Sequence, residues 1–405
     1  MWRVAVKPDA RPALVCARYR TGGVILQHRQ QGQKNFRLTC AHINVYINAF
    51  FAGRRRASGA FPIPQFAFMS AVLAPTPSLV SVAALAWRGT GLVRPECVLA
   101  TASGDLYTSD WRGGVAHMHP DGTHALYAGR LPQAADANRP TRPNGIALRR
   151  DGSFLMADLG EDLGGVYRLG RDGTVSEVLT HVDGIDLPSS NFVAEDAQGR
   201  VWLTVSTRLK PRSLGYNDRV ADGFIVLMDS TGARIVADGL GFTNEALVSP
   251  DGQWLYVNET YHKKMSRYPL RADGALGAKE VVTTFGHGAF PDGFAFDSAG
   301  AAWVTCVIGN QLIRVTPDGA QQIVLEDGNP EYVDWVEAAY ARAELGRQHM
   351  DKPHTTRLKN ISSIAFGGAD LKTVYLGCLA GDAIAHFRLP ETLDLRGHAP
   401  VHWLY

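Results

Sequence analysis

Six oxygen-bearing side chains recur along this chain, the first five at nearly even intervals: Glu96, Asn144, Asn191, Asn244, Asp292 and Ser362. The successive spacings are 48, 47, 53, 48 and 70 residues. A lone Asn or Asp before Gly is ordinarily a turn-former. Six oxygen-bearing positions in register say more, provided that the fold brings them together. Carboxylate and amide oxygens, without thiolates or imidazoles, make a hard site suited to Ca²⁺, Mg²⁺ or Mn²⁺, and Zn²⁺ also tolerates it. Such a site polarises a carbonyl and activates water, which is the chemistry of metal-assisted hydrolysis.

The elements that must position these residues are visible as a repeat. RPNGIALRRDGSFLMADLG (142–160), SSNFVAEDAQGRVWLTVST (189–207), FTNEALVSPDGQWLYVNET (242–260) and FPDGFAFDSAGAAWVTCVI (290–308) are copies of one unit. RPECVLATASGDLYTSD (94–110) and NISSIAFGGADLKTVYLGCL (360–379) are more degenerate copies. Each reads strand, Gly-containing turn, strand, with alternating apolar and polar residues and hairpin turns of the Asp-Gly type. A period of 40–50 residues carrying several short strands is the mark of propeller blades. The sequence therefore predicts an all-β fold, a six-bladed β-propeller over residues 81–405.

In a propeller the first strand of each blade lies beside the central axis. Residues about 50 apart in sequence then point at one small region. The segments 84–92 and 398–405 are candidates to share the closing blade, since closure removes exposed sheet edges. The long last interval reflects an insertion, roughly 329–358, whose stretch 331–350 has apolar residues at helical spacing. A short helix there, before the last blade, would either form a lid or pack over a loop; packing is the commoner outcome. Loops after each second strand return to the face where the first strands begin. Those loops carry Trp111, Tyr261 and His262, expected to contact substrate, with His262 also available as an acid or base.

The remaining features exclude other classes. The chain has 405 residues, is 45% hydrophobic and 20% charged, and contains no long apolar run able to span a membrane. Five cysteines without C-x-x-C spacing argue against a disulfide framework or a thiolate zinc site, and fit a cytoplasmic protein. Residues 1–68 hold 11 Lys or Arg and one acid, leaving 30 basic and 38 acidic residues in the rest. The main domain is thus mildly acidic and offers nucleic acid no electrostatic footprint. The expected partner is a small-molecule substrate; the oligomeric state is not legible. Residues 1–80 read as a basic extension, either disordered or translated from an over-extended frame with Met69 as the true start. No G-x-S-x-G elbow, P-loop, dinucleotide fingerprint or H-E-x-x-H pair occurs.

From about Arg94 to Pro390 the chain resembles the senescence marker protein-30/gluconolactonase family. The most specific pieces are FPDGFAFDSAGAAWVTCVIGNQLIRVTPDG, FTNEALVSPDGQWLYV and SSIAFGGADLKTVYLGCL. The resemblance implies a metal-dependent lactonase holding one divalent ion, Ca²⁺ first among the candidates. It places the ligand roles on Glu96, Asn244 and Asp292, and a substrate-holding role on Asn191; Asn144 would line the pocket. Asp292 is then the leading general base as well as a ligand. Three positions depart from the family pattern: Glu245 follows Asn244 where Gly is usual, Asn191 is followed by Phe-Val, and Ser189 stands where sugar lactonases often carry Arg. Stretches such as ETYHKKMSRYPL also look like strictosidine-synthase-like propellers. The alternatives are that activity, a phosphotriesterase-like one, or a non-catalytic ligand-binding propeller.

Overall fold

Short alternating strands joined by tight turns cannot bury both faces alone, so they stack as sheets around a common axis. A computed structural model describes residues 78–131, 139–350 and 357–405, together with the backbone of five short strands between residues 3 and 48. The chain divides into two units, Met1–Leu73 and Ala74–Tyr405. The expectation that residues 1–80 are disordered or wrongly assigned falls for the most part outside the described residues.

The second unit is the six-bladed propeller, each blade a four-stranded antiparallel sheet. The innermost strands, blades one to six, are Val98–Ala100, Pro143–Leu148, Ser190–Glu195, Thr243–Val248, Ala289–Phe296 and Ile361–Gly367. Blades one to five use four strands consecutive in sequence. Blade six has three from the C-terminal part, and its outer strand is Ala86–Arg88, which pairs antiparallel with Ile384–Arg388. The ring is therefore closed by its own beginning, as expected for 84–92. The other end behaves differently: Val401–Leu404 is a 3₁₀ turn, and Trp403 accepts a backbone hydrogen bond from Ala102. A chain lacking residues up to Arg88 should expose the edge of Ile384–Arg388 and self-associate. Light scattering on that truncation checks this.

Between blades the core consists of interleaved side chains such as Trp202, Trp303, Phe154, Phe224 and Phe387, all essentially inaccessible. Two turns at the far end of the inner strands repeat one device. Asp297 accepts from the backbone N–H of Ala299 and Ala301, from Trp303 Nε1 at 3.0 Å and from Arg314 Nε at 2.7 Å. Asp196 does the same for Gln198 N, Arg200 N, Arg200 Nε and Trp202 Nε1. Each carboxylate thereby ties its turn to the neighbouring strand and to a core tryptophan.

The insertion contains helix α1, Pro330–Ala341, and a short helix α2, Arg347–Met350. Asn329 caps α1 by accepting from Tyr332 N, with Pro330 at its first position. Its buried face, Tyr332, Val333, Val336 and Ala339, packs on Tyr261, Phe290 and Val307. Tyr340 Oη donates to Tyr261 O, and Lys263 pairs with Glu337. The helix is a wall built onto blades four and five. Among the described residues no helix is long and apolar enough to cross a membrane.

Candidate metal centre

What aims the repeated residues at the axis is a recurrent break in strand pairing. In blades two to six the register between first and second strands slips at the repeated position: between Pro143 and Ile146, Ser190 and Phe192, Thr243 and Ala246, Pro291 and Phe294, and Ile361 and Ser363. A bulge turns the extra side chain away from the sheet's alternation. It also strips a backbone N–H of its ladder partner, and a buried N–H must be satisfied. Hydroxyls on the second strands do this. Thr204 accepts from Phe192 N, Thr305 from Gly293 N, and in blade one Ser109 accepts from Cys97 N.

The result is a connected ring of buried side chains. Asn144 Nδ2 donates to Glu96 Oε1 at 2.8 Å and to Asn191 Oδ1 at 2.9 Å. Asn191 Nδ2 donates to Asn244 Oδ1 at 2.7 Å, and Asn244 Nδ2 to Thr260 Oγ1 at 3.0 Å. Thr260 in turn donates to Pro291 O, fixing the start of the segment that carries Asp292. Glu96, Asn144, Asn191, Asn244 and Asp292 are all buried. Ser362, the sixth repeat position, is spent on the scaffold: its hydroxyl donates to Glu96 O at 2.9 Å.

Burial dominates the electrostatics. It pushes the Glu96 carboxyl up to about 7, against the opposing pull of Arg94, Arg212 and the Asn144 hydrogen bond. Asp292 is raised well above the usual carboxylate range by burial and then by Glu96. Asp292 Oδ1 and Asn144 Oδ1 are buried without a hydrogen-bond partner. Orphaned oxygens beside two carboxyls that resist ionisation are the signature of a place a cation would stabilise. The donor set is all oxygen, so Glu96, Asn244 and Asp292 fit a hard divalent ion.

The raised Glu96 carboxyl favours the folded state while protonated, so the metal-free protein loses stability as pH rises from about 4.5 through about 7, and Asp292 acts in the same direction. A cation needs the ionised forms. Added Ca²⁺ is therefore expected to raise Tm more at pH 8 than at pH 5, which thermal unfolding in chelated and Ca²⁺-supplemented buffer will show.

Trp111 and Tyr261 stand near this ring, but neither offers a free polar tip into it. Trp111 Nε1 donates to Pro143 O at 3.1 Å, and the indole lies beneath the Arg94 guanidinium, 4.6 Å from its ring centroid. Tyr261 is buried among Tyr216, Phe242 and Phe290, with Oη 3.9 Å from Met350 Sδ. His262 is engaged elsewhere. Its Nε2 meets Val220 O at 3.1 Å and its ring covers Gly241 so closely that a Cβ there would lie 2.0 Å from the imidazole. The charges acting on it are Lys264, Glu259 and Asp218, none from the ring of oxygens.

Three residues to which the sequence reasoning gave no role also belong to the site. Arg94 and Arg212 bear on both Glu96 and Asp292. Glu245, the residue that replaces the usual Gly, is buried; its Oε2 accepts from Phe294 N at 3.0 Å, and its carboxyl is raised by burial, Glu96 and Asp292. Its fit depends on Gly293, where a Cβ would stand 2.6 Å from Glu245 Oε1. The only advance signal was in the neighbouring letters, Arg-Pro-Glu and Asn-Glu, which no spacing rule singles out.

A second grouping is separate. Asp105, His117 and His119 bring ligand atoms within 4.8 Å of one another in blade one, at the opposite end of its inner strand from Glu96. There His117 Nε2 is 2.7 Å from Asp105 Oδ1 and its Nδ1 3.2 Å from Tyr127 Oη. A cavity of about 340 Å³ also lies at that end, lined by Leu247, Phe294, Ile364 and the tail residues His398–His402. The Asp105 grouping does not coincide with the axial ring of oxygens, and the cavity meets the site only at Glu245 and Cys97.

Comparison with known proteins agrees with this fold. The SMP-30/gluconolactonase/LRE-like family model matches residues 94–327. A 6-deoxy-6-sulfogluconolactonase of Pseudomonas putida is 30% identical over 234 residues, 57% of this chain and 67% of that protein. A pentonolactonase of Haloferax volcanii is 28% identical over 245 residues, 59% and 67% respectively. The solved structure of the calcium-binding protein regucalcin from Agrobacterium tumefaciens superposes with a TM-score of 0.57 at 16% identity, covering 82% of this chain and all of that one. At that identity the likeness speaks for the fold. With the family model spanning more than half of its length and the bulged first strands in place, this chain belongs to the SMP-30/gluconolactonase/LRE-like family.

Proposed function

We propose that this protein is a lactonase that opens a sugar lactone or related cyclic ester with the help of one divalent cation, Ca²⁺ first, held by Glu96, Asn244 and Asp292. The observation that carries the reading is the buried, unpartnered Oδ1 of Asp292 beside the hydrogen-bonded ring of Glu96, Asn144, Asn191 and Asn244. Two lactonase relatives support the reaction class.

When bound, the cation would polarise the lactone carbonyl and favour the negative charge that develops on its oxygen. Asp292, ionised when it helps to hold the cation, takes the proton from the attacking water. That proton then goes to the ring oxygen as its bond to the carbonyl carbon breaks, leaving a hydroxy acid. Asn191 is fixed by donating to Asn244 while its Oδ1 accepts from Asn144 and Arg212, so it presents a rigid amide edge to the substrate. The buried thiols of Cys97, Cys306 and Cys378 are compatible with the cytoplasm.

A panel of aldonolactones, a simple aryl ester and a phosphotriester, followed by proton release or chromophore, separates the readings. The proposal expects lactone opening that outpaces ester and phosphotriester cleavage. Turnover of the phosphotriester alone, or of nothing, would remove it.

A further inference from the structure

Two guanidinium groups at the site have donors beyond those already used: that of Arg94 makes no hydrogen bond to a described residue, and that of Arg212 engages only Nη2. Arg94 precedes Glu96 by two residues, at the end of a turn in which Glu96 N donates to Arg94 O, with φ of +52°. That left-handed backbone sets its side chain over the face of Trp111. The guanidinium donates no hydrogen bond to any described residue, and its Nε is buried and unpartnered. Arg212 comes from the 3₁₀ turn Arg212–Gly215, in the long loop of blade three. It lies 5.2 Å from the Phe242 centroid. Only its Nη2 is engaged, 3.2 Å from Asn191 Oδ1 and 3.4 Å from Ser206 Oγ, while its Nε is also buried without a partner.

Neither arginine makes a salt bridge within 4.0 Å among the described residues. Both nevertheless act on Glu96 and Asp292, and Arg94 also feels the positive charge of Arg212 and of Arg347 from α2. Collecting like charges in a half-buried pocket is unfavourable unless something of opposite sign joins them. Even with Glu245 counted, three carboxyls cannot offset both the two guanidiniums and a divalent cation. With the cation in place the pocket is left with surplus positive charge and with planar donors not all engaged, the Nε of both arginines among them, held in position by aromatic faces. That is a receptor for an oxyanion.

We infer that the preferred substrate carries a fixed negative group remote from its lactone carbonyl, a carboxylate, sulfonate or phosphate, held between Arg94 and Arg212. The inference rests on the lactonase reading above for the identity of the rest of the molecule.

Two measurements test it. In the first, calorimetry on the Ca²⁺-loaded full chain compares D-gluconate, D-glucarate and 6-phospho-D-gluconate, which share a hydroxy-acid head and differ in the tail. At least one acidic-tailed compound should bind ten-fold or more tightly than D-gluconate, with a stronger salt dependence; glucarate and the phosphate distinguish a carboxylate from a phosphate preference. Arg94→Ala and Arg212→Ala should each erase most of that preference, and Arg94→Lys should retain part of it. In the second, the ratio of kcat/KM for 6-phosphogluconolactone over gluconolactone should fall at least ten-fold in the two alanine variants. Equal affinity for all three acids would overturn the inference, as would a preference unchanged in a folded Arg94→Ala, Arg212→Ala double variant. If no lactone is opened but the acidic tail still gives the ten-fold preference, the lactonase reading fails and the anion site stands. If lactones are opened and the tail makes no difference, the anion site alone fails.

Discussion

Asp292→Asn is expected to lower kcat/KM for lactone opening by roughly 10³-fold, about 4 kcal/mol of transition-state stabilisation, within the range for loss of a general base. The substitution keeps the size of the side chain and removes its charge and basicity. Its surroundings argue against a merely structural effect. Asp292 Oδ1 has no protein partner to lose, and the backbone of Asp292 is held independently through Asn258 Nδ2, which donates to Asp292 O at 2.9 Å. Because burial and Glu96 both disfavour the charged carboxylate, the Asn variant should unfold at or above the wild-type temperature in metal-free buffer near pH 8. Activity lost and stability kept would locate the effect in chemistry. Kinetics and thermal unfolding on the same preparation give both halves.

The second large effect lies far from the reacting atoms. Asp297→Ala should destabilise the propeller by about 3–5 kcal/mol, the range for stranding one partner of a buried ion pair. One inaccessible carboxylate satisfies two backbone N–H groups, the Trp303 indole and the Arg314 guanidinium at once. Alanine leaves four donors without an acceptor, and Arg314 as a largely buried cation. Urea unfolding should show a lower midpoint at unchanged slope, since the surface exposed on unfolding is the same. Asp297→Asn, which still accepts hydrogen bonds, should recover part of the loss.

The architecture was legible because the repeat is a spacing property, and spacing survives in a bare sequence. The period near 48 residues gave the blades, and the register of Glu96, Asn144, Asn191, Asn244 and Asp292 gave the ring of oxygens that the structure contains. Ser362 shows where spacing stops being sufficient. It occupies the repeat position, yet its short side chain reaches its neighbour's carbonyl rather than the axis. The same holds for His262, whose loop starts at the correct face but whose ring is captured by Gly241 and Val220. Arg94 and Arg212 were invisible for another reason. One depends on a left-handed backbone turn and the other on the path of a long loop, and neither leaves a periodic trace. Glu245 was visible only as a departure from a family pattern. The structure gives that departure a partner, since Gly293 leaves the room its carboxyl occupies.

The central claim is that hydrolysis depends on a cation held by Glu96, Asn244 and Asp292. It is tested most directly by stripping the protein with chelator and titrating Ca²⁺ back while following proton release from D-glucono-1,5-lactone. Activity should vanish on stripping and return in proportion to added Ca²⁺, saturating at one ion per chain, and should not return in Asp292→Asn. Hydrolysis that persists undiminished in the chelated protein, or that survives Asp292→Asn, would contradict the account.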